Sequence, residues 1–308
     1  MKKILALVLV CLFTFQAAVF AADFKDMPND WSTSALEAAV ANGLLTGSGG
    51  YIKASDNMTR AEMATIMVRA CGATREIDIS GYTDVKADDW FYTSMARAVA
   101  MGAFTGSDNK LNPSNPITRQ EAFLVLSRVF GLSAGATVDE SVLDAFKDKD
   151  KIADWAKEGV ASIVAKGYVA GNDGYINPLN NISRAEFAVV MDRLIKYYID
   201  EPQESFPTDG NIMIRANGVN LSNLKTDKMV VIGDAVSDES ITIENAELSD
   251  MLVVRGGKKI SAGGTYDAIV VLLPGVTVSG GTNNIKRVYI CPDSVFDVSS
   301  NFMGGFFE

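Results

Sequence analysis

The feature that constrains this chain most is a repeat. Asp30-Trp31, Asp89-Trp90 and Asp154-Trp155 recur at offsets of 59 and 65 residues. Gly47, Gly106 and Gly171 move by the same offsets, and so do Arg60, Arg119 and Arg184. Three landmarks shifting together through two unequal steps define three copies of one supersecondary unit, which buries its apolar face only against its neighbours. The longer second offset places extra residues between copies two and three, where Ser133-Ala134-Gly135-Ala136-Thr137 reads as a linker.

Each copy reads as helix, loop, helix. The Trp precedes a first apolar helix (Ala35, Ala38, Ala39 and Val40 in copy one) that ends at Gly43, Gly102 or Gly167, where a left-handed residue is favoured. A turn-rich loop follows, with Asn112-Pro113 and Asn177-Pro178 near its end. Met58-Thr59-Arg60-Ala61-Glu62, Ile117-Thr118-Arg119-Gln120-Glu121 and Ile182-Ser183-Arg184-Ala185-Glu186 then open a second helix. Thr or Ser three residues before Glu is a capping box, and the preceding Met or Ile fits a hydrophobic staple.

Folding therefore explains the Thr, Ser and Glu, but not the Arg, whose charge near a helix start opposes the dipole by roughly 0.3 kcal/mol. An Arg beside free helix N–H groups is a good receptor for a carboxylate or phosphate. The alternative is a salt bridge to a neighbouring repeat, for example to Asp30, Asp89 or Asp154. Trp31, Trp90 and Trp155 read first as packing residues at helix starts, with a sugar platform as the alternative. Gly47, Gly106 and Gly171 read as turn residues of positive φ, or as bare backbone that a ligand approaches.

The pattern resembles the S-layer-homology family, in three copies over about residues 23–200. The resemblance rests on Phe24-Lys25-Asp26, Tyr82-Thr83-Asp84 and Phe146-Lys147-Asp148 at the openings, the Asp-Trp pairs, the Gly-Leu-Leu-Thr-Gly type of turn and the Thr-Arg-Ala-Glu motif. It implies a pseudo-threefold helical bundle whose grooves bind secondary cell-wall polysaccharide, often bearing a pyruvyl ketal, with the motif Arg paired to the ketal carboxylate. Carried over, the ligand-binding set is Arg60, Arg119 and Arg184, with Trp31, Trp90, Trp155, Gly47, Gly106 and Gly171 in support. The copies depart from one another: Ala54 stands where the others have Pro113 and Pro178, Gln120 replaces Ala, and Ser183 replaces Thr. The first groove is the most altered.

After Tyr197 the composition changes. Residues 201–211 read as a linker, and short β-rich runs follow at Met229–Ile232, Met251–Val254, Ile269–Leu273 and Val288–Ile290, with secondary runs at Ile241–Ile243, Val276–Val278 and Val295–Val298. A spacing near 20 residues suggests a parallel β-solenoid; an antiparallel sandwich is the rival. Asp234, Asp238, Glu239, Glu244, Glu247 and Asp250 form an acidic cluster that reads as a solvated turn face, with glycosidic cleavage or calcium binding as alternatives. Asp148, Asp150 and Asp154 match a calcium loop only faintly. The terminal Phe296, Phe302, Phe306 and Phe307 fit a cap on the last coil, or else a contact for self-association or for S-layer neighbours.

The expected organisation is a multidomain α + β chain: signal peptide 1–21, repeats 22–77, 78–136 and 137–200, linker 201–211 and a small β-rich domain 212–308. Lys2, Lys3, the apolar run Ile4–Phe15 and Val19-Phe20-Ala21 have the grammar of an export signal cleaved after Ala21. Val10 before Cys11 disfavours lipidation. With the signal removed the formal charge moves from −10 to −12, a poor match for nucleic acid, and no membrane insertion is expected afterwards. Cys71 and Cys291 read as separate buried thiols. The chain has no histidine, which excludes Ser-His-Asp and Cys-His catalysis and His-ligated zinc. No cofactor or metal is implied. The expectation is a secreted, non-enzymatic anchor at the cell wall; the alternative is a wall-anchored polysaccharide hydrolase or lyase with its site on the β domain.

Overall fold

A computed structural model describes residues 24–134, 137–280, 284–298 and 305–307. The expected signal segment, Gly135, Ala136 and Phe302 lie outside the described residues.

Each repeat supplies two helices: α1 (Thr33–Ala41) and α2 (Arg60–Cys71), α3 (Tyr92–Ala100) and α4 (Arg119–Phe130), α5 (Asp154–Ala165) and α6 (Arg184–Leu194). Two short 3-10 turns, Glu140–Ala145 and Lys149–Lys151, precede α5. The first helices end before Gly43, Gly102 and Gly167, at φ 70°, 73° and 74°, a conformation that costs glycine little. The second helices carry Glu62, Glu121 and Glu186 in their first turns, and each carboxylate accepts the cap residue's amide at 2.8 Å.

Helices pair across repeat boundaries, α2 with α3, α4 with α5 and α6 with α1, so the three copies close into a ring. Met58, Ile117 and Ile182, expected as local staples, do more than that. The Ile117 amide donates to the Met58 carbonyl at 2.9 Å, Ile182 to Ile117 at 3.1 Å, and Met58 to Ile182 at 2.9 Å. All three side chains are fully buried. This cycle of backbone bonds exists only when three copies are present, because a missing copy would orphan a buried donor and a buried acceptor. The opening Asp residues tie down the loops: Asp26 accepts the amides of Ile52 and Lys53, Asp84 those of Leu111 and Asn112, and Asp148 those of Ile176 and Asn177, all at 2.7–2.9 Å.

Beyond the helices the chain is a parallel β-solenoid. Its strands are β1 (Tyr197–Ile199), β2 (Ile212–Ile214), β3 (Lys225–Thr226), β4 (Val230–Ile232), β5 (Ile241–Val254), β6 (Lys259–Val271), β7 (Thr277–Gly280), β8 (Asn284–Ile290), β9 (Val295–Val298) and β10 (Gly305–Phe307). All pair in parallel. One ladder runs Ile212, Val230, Leu252, Ile269, Val288, Phe306, in steps of 17 to 22 residues. The four strongest apolar runs of the sequence all fall on this ladder. The three secondary runs form another, with Ile260, Val278 and Phe296 in register. The backbone of 305–307 adds a further rung beside β8 rather than folding back over the stack.

The main ladder is apolar on both faces, as expected of parallel strands covered on both sides. Ile212, Val230, Leu252 and Ile269 fill the solenoid interior. The alternate positions Met213, Val231, Val253 and Val270 belong to the core of the helical bundle. The helices and the solenoid therefore share one buried layer. The sheet begins at Tyr197, inside what the sequence assigns to the third repeat. Residues 201–211 are a turn between two adjacent strands, not a linker between independent bodies. The Asn211 side chain donates to Tyr168 Oη at 2.7 Å and to the Leu194 carbonyl at 2.8 Å, and accepts the Met229 amide at 2.9 Å.

Two arginines of the solenoid complete the junction. Arg255, 2% exposed, pairs with Asp234 at 2.6 Å and donates to the carbonyls of Met101 and Val129 at the ends of α3 and α4. Arg215 pairs with Asp200 at 2.6 Å and reaches the carbonyls of Asn42 and Arg69 at the ends of α1 and α2. A cation at a helix C-terminus meets the negative end of the dipole and orphan carbonyls together. Cys71 and Cys291 are free thiols; Cys291 is half-buried, and burial pushes the Cys71 thiol up to about 12.

Candidate functional site: grooves between repeats

The capping-box glutamates hold the motif arginines. Each uses Oε2 for its own helix cap and Oε1 for the Arg of the preceding repeat. Arg60 Nη1 lies 3.2 Å from Glu121, Arg119 Nη1 2.9 Å from Glu186, and Arg184 Nη1 3.5 Å from Glu62, so the pairs run round the ring. Each Arg Nε also donates at 2.9 Å to a loop carbonyl of the next repeat, that of Leu111, Ile176 or Ile52. The salt-bridge reading of the arginines is correct in kind, but the partner is Glu, not Asp. Asp30, Asp89 and Asp154 are engaged locally, with Ser32, the Lys86 amide and Lys157.

The idea that free helix N–H groups assist the Arg is overturned. The Arg60 and Ala61 amides donate to Asn115 and Pro113, those of Arg119 and Gln120 to Asn180 and Pro178, and those of Arg184 and Ala185 to Asp56 and Ala54. The loops of the next repeat occupy the helix starts, and any anion must be met by the guanidinium itself.

Two grooves present that group. One, of about 590 Å³, is lined by Arg60 of the first repeat, Phe104, Gly106 and Glu121 of the second and Trp155 of the third. The other, of about 510 Å³, is lined by Arg119 of the second repeat, Gly171 and Glu186 of the third and Trp31 of the first. Each groove is thus assembled from all three copies. The Arg60 guanidinium sits 5.1 Å from the Phe104 ring centre, and that of Arg119 5.2 Å from Phe123. Burial pulls both below the ordinary arginine value while Glu121 and Glu186 act in the opposite sense. In each, Nη2 has no hydrogen-bond partner among the described residues. A positioned, partly desolvated guanidinium with a spare N–H edge can take a carboxylate or phosphate. Arg184 is more committed: its Nη2 also donates to the Thr46 carbonyl at 3.3 Å, in the repeat where Ala54 replaces proline.

The tryptophans correct the packing reading. Trp31, Trp90 and Trp155 are 64%, 68% and 56% exposed. An indole is a large apolar surface, and leaving three in solvent at equivalent positions points to a contact with something else. The glycines correct the turn reading for two of three. Only Gly171 has positive φ, at 72°. At Gly47, Gly106 and Gly171 a Cβ would come within 2.0, 2.3 and 2.6 Å of Phe24, Tyr82 and Phe146, the opening aromatic of the same repeat. These glycines make room for an aromatic ring.

The acidic cluster on the solenoid disperses. Asp234 is part-buried against Arg255, Asp238 accepts the Gly218 amide, Glu239 pairs with Lys258, Glu247 with Lys225 and Asp250 with Lys166, and Glu244 stands exposed. Asp148, in the faint calcium-loop trio, is filled by two backbone amides.

A family model described as S-layer homology domain matches residues 23–64, 81–123 and 145–188. The chain carries three S-layer homology domains. It is 32% identical over 62% of its length to the Surface-layer 125 kDa protein of Lysinibacillus sphaericus, covering 16% of that protein. It is 28% identical over 48% of its length to the Cellulosome-anchoring protein of Acetivibrio thermocellus, covering 34% of it. It is 25% identical over 59% of its length to the Amylopullulanase of Thermoanaerobacterium thermosulfurigenes, covering 10% of it. The chain thus spans between 10% and 34% of the length of these three relatives. The S-layer homology domains account for the grooves; the matched segments stop short of the solenoid.

Sequence reasoning missed the second task of Glu62, Glu121 and Glu186. The signal was available: each stands two residues after an Arg that has no local partner, at the same offset in every copy. Among the described residues no helix is long and apolar enough to cross a membrane.

Proposed function

We propose that this is an exported bacterial surface protein, with residues 1–21 as its signal, that holds to the cell wall non-covalently by binding an acidic secondary wall polysaccharide in the grooves between its repeats. The observation that carries the reading is one juxtaposition made twice: a part-buried arginine with a spare N–H edge and an exposed tryptophan line the same groove, Arg60 with Trp155 and Arg119 with Trp31. The guanidinium takes a carboxylate, such as that of a pyruvyl ketal, and the indole covers a sugar face. Relatives named for surface layers and cellulosome anchoring agree with an anchoring role. A hydrolase reading draws on the amylopullulanase relative, but of the solenoid carboxylates that would serve it Asp234, Asp238, Glu239, Glu247 and Asp250 are tied to cations or amides, which leaves Glu244 without a second free carboxylate in the cluster. The protein therefore acts as an anchor and not as a catalyst.

The test is sedimentation of the full chain with wall sacculi, intact and stripped of secondary polymer. Retention on intact sacculi only is expected, and Arg60→Ala with Arg119→Ala should lower affinity by roughly tenfold or more per occupied groove, the loss of one charge-assisted contact. Arg184→Ala should change binding least. Equal retention on stripped sacculi would overturn the reading.

A further inference from the structure

The Arg60 groove does not end where the repeats end. Arg128 lines that groove and also a second one of about 710 Å³, whose walls include Glu140 and Glu158 of the third repeat and Leu272 and Tyr289 of the solenoid. Arg128, common to both linings, makes the two grooves neighbours. Leu124 and Arg128 lie one turn apart on α4, as do Trp155 and Glu158 on α5; Leu124 and Trp155 line the first groove, Glu158 the second and Arg128 both. The trough therefore runs from the exposed indole along the α4–α5 seam to the solenoid surface.

The trough breaks the pseudo-threefold symmetry. Arg69 and Arg193, equivalent to Arg128 in the other repeats, donate to the carbonyls of Leu44 and Tyr168. Arg128 makes no such bond, and neither it nor Glu140 nor Glu158 has an ion-pair partner among the described residues. At the junction with the first and third repeats, beside Tyr198, the cavity is only about 10 Å³. Lys166, equivalent to Met101 of the trough, is tied to solenoid Asp250 at 2.6 Å.

One cation, two carboxylates and a half-exposed tyrosine around an open groove match a polyhydroxylated ligand. Carboxylates accept from sugar hydroxyls, the guanidinium donates to ring and hydroxyl oxygens, and the phenol ring offers an apolar face. We propose that the second groove is a saccharide site built jointly by the repeats and the solenoid, which holds further sugar units of the same polysaccharide whose acidic unit sits at Arg60. This rests on the wall-polysaccharide reading and extends it: the solenoid lengthens one binding groove.

The experiment is titration calorimetry of the full chain with wall-polysaccharide fragments of graded length. Affinity should rise by roughly tenfold once a fragment is long enough to pass Arg128, and Glu158→Gln and Tyr289→Ser should each remove most of that rise without touching the affinity for the shortest fragment, whereas Arg128→Ala, at a residue that lines both grooves, should remove the rise and also weaken the shortest fragment. Glu158 is exposed on α5, so its Gln variant folds as the parent does and keeps the test valid if Tyr289→Ser destabilises the last rungs. Equal affinity for short and long fragments, or a rise untouched by Arg128→Ala and Glu158→Gln, would overturn the proposal while leaving the anchoring role intact. Absence of binding by every fragment would remove both.

Discussion

The helical ring and the solenoid are both built from repeats, yet they treat their ends in opposite ways. Three helical copies close on themselves through Met58, Ile117 and Ile182, so each is flanked on both sides. Solenoid coils stack in a line, and their apolar interior is closed only by what lies before and after. The ring nonetheless leaves one problem: its helices end together on one side, with unpaired carbonyls. The solenoid covers them with its flat apolar row, with Arg215 and Arg255, each at the ends of two helices, and with Asn211 at the end of α6. Neither part is complete without the other, although only one carries the motif residues of the grooves.

Removing the solenoid should have the largest effect on the helical ring. A chain ending at residue 200 would expose the bundle surface that covers Met213, Val231, Val253 and Val270, a loss of roughly 5 kcal/mol or more at the usual value of a buried aliphatic side chain. The expected outcome is aggregation or a melting temperature far below the parent's. A truncated chain that melts where the full protein does would show the two parts to be independent. Next in size is Arg255→Met. It strips the partner from part-buried Asp234 and the donor from two buried carbonyls, which costs about 3 kcal/mol. Urea denaturation measures it, and Asp234→Leu added to Arg255→Met should recover part of the loss.

A smaller effect tests the seam itself. Gly131, at the end of α4, has φ 62°, and a Cβ there would lie 2.8 Å from Val270 Cγ1 of the solenoid. Gly131→Ala should cost about 1–3 kcal/mol through backbone strain and the clash. Val270→Ala should partly relieve it, a positive coupling in a double-mutant cycle. Additive effects would mean that the two residues do not meet.

The ring was legible from the chain because its signals are local and repeated: a Gly after each first helix, a capping box at each second. The coil spacing was legible for the same reason, with Met229–Ile232 and its successors marking the rungs. The docking of one part on the other was not. The clue lay in those same runs, where four consecutive apolar residues are more than a strand with one wet face needs. Periodicity says that both faces are covered but not by what. The arginines were noticed and misplaced: capping rules predict a helix start, but not that loop carbonyls from another repeat, at Asn115, Asn180 and Asp56, fill its N–H groups.

The smallest expected effect on stability separates fold from site most sharply. Sequence rules favour a buried tryptophan, and truncating a core tryptophan to alanine costs about 3–5 kcal/mol. Trp31 and Trp155 stand mostly in solvent, so Trp31→Ala and Trp155→Ala should change unfolding free energy by no more than about 0.5 kcal/mol. Trp90 is just as exposed but meets the buried Phe91 edge-on at 5.5 Å, so its truncation should cost slightly more. Binding should follow a different order. Trp155→Ala and Trp31→Ala remove the aromatic wall of the Arg60 and Arg119 grooves and should weaken retention on sacculi, whereas Trp90, which the order of the ring pairs with the more committed Arg184, should matter least when truncated. Thermal melts and sedimentation on the same three variants give both orders. A core-sized loss of stability in Trp31→Ala would put that indole in the packing and remove it from the groove; unchanged stability with weakened retention would assign it to the ligand.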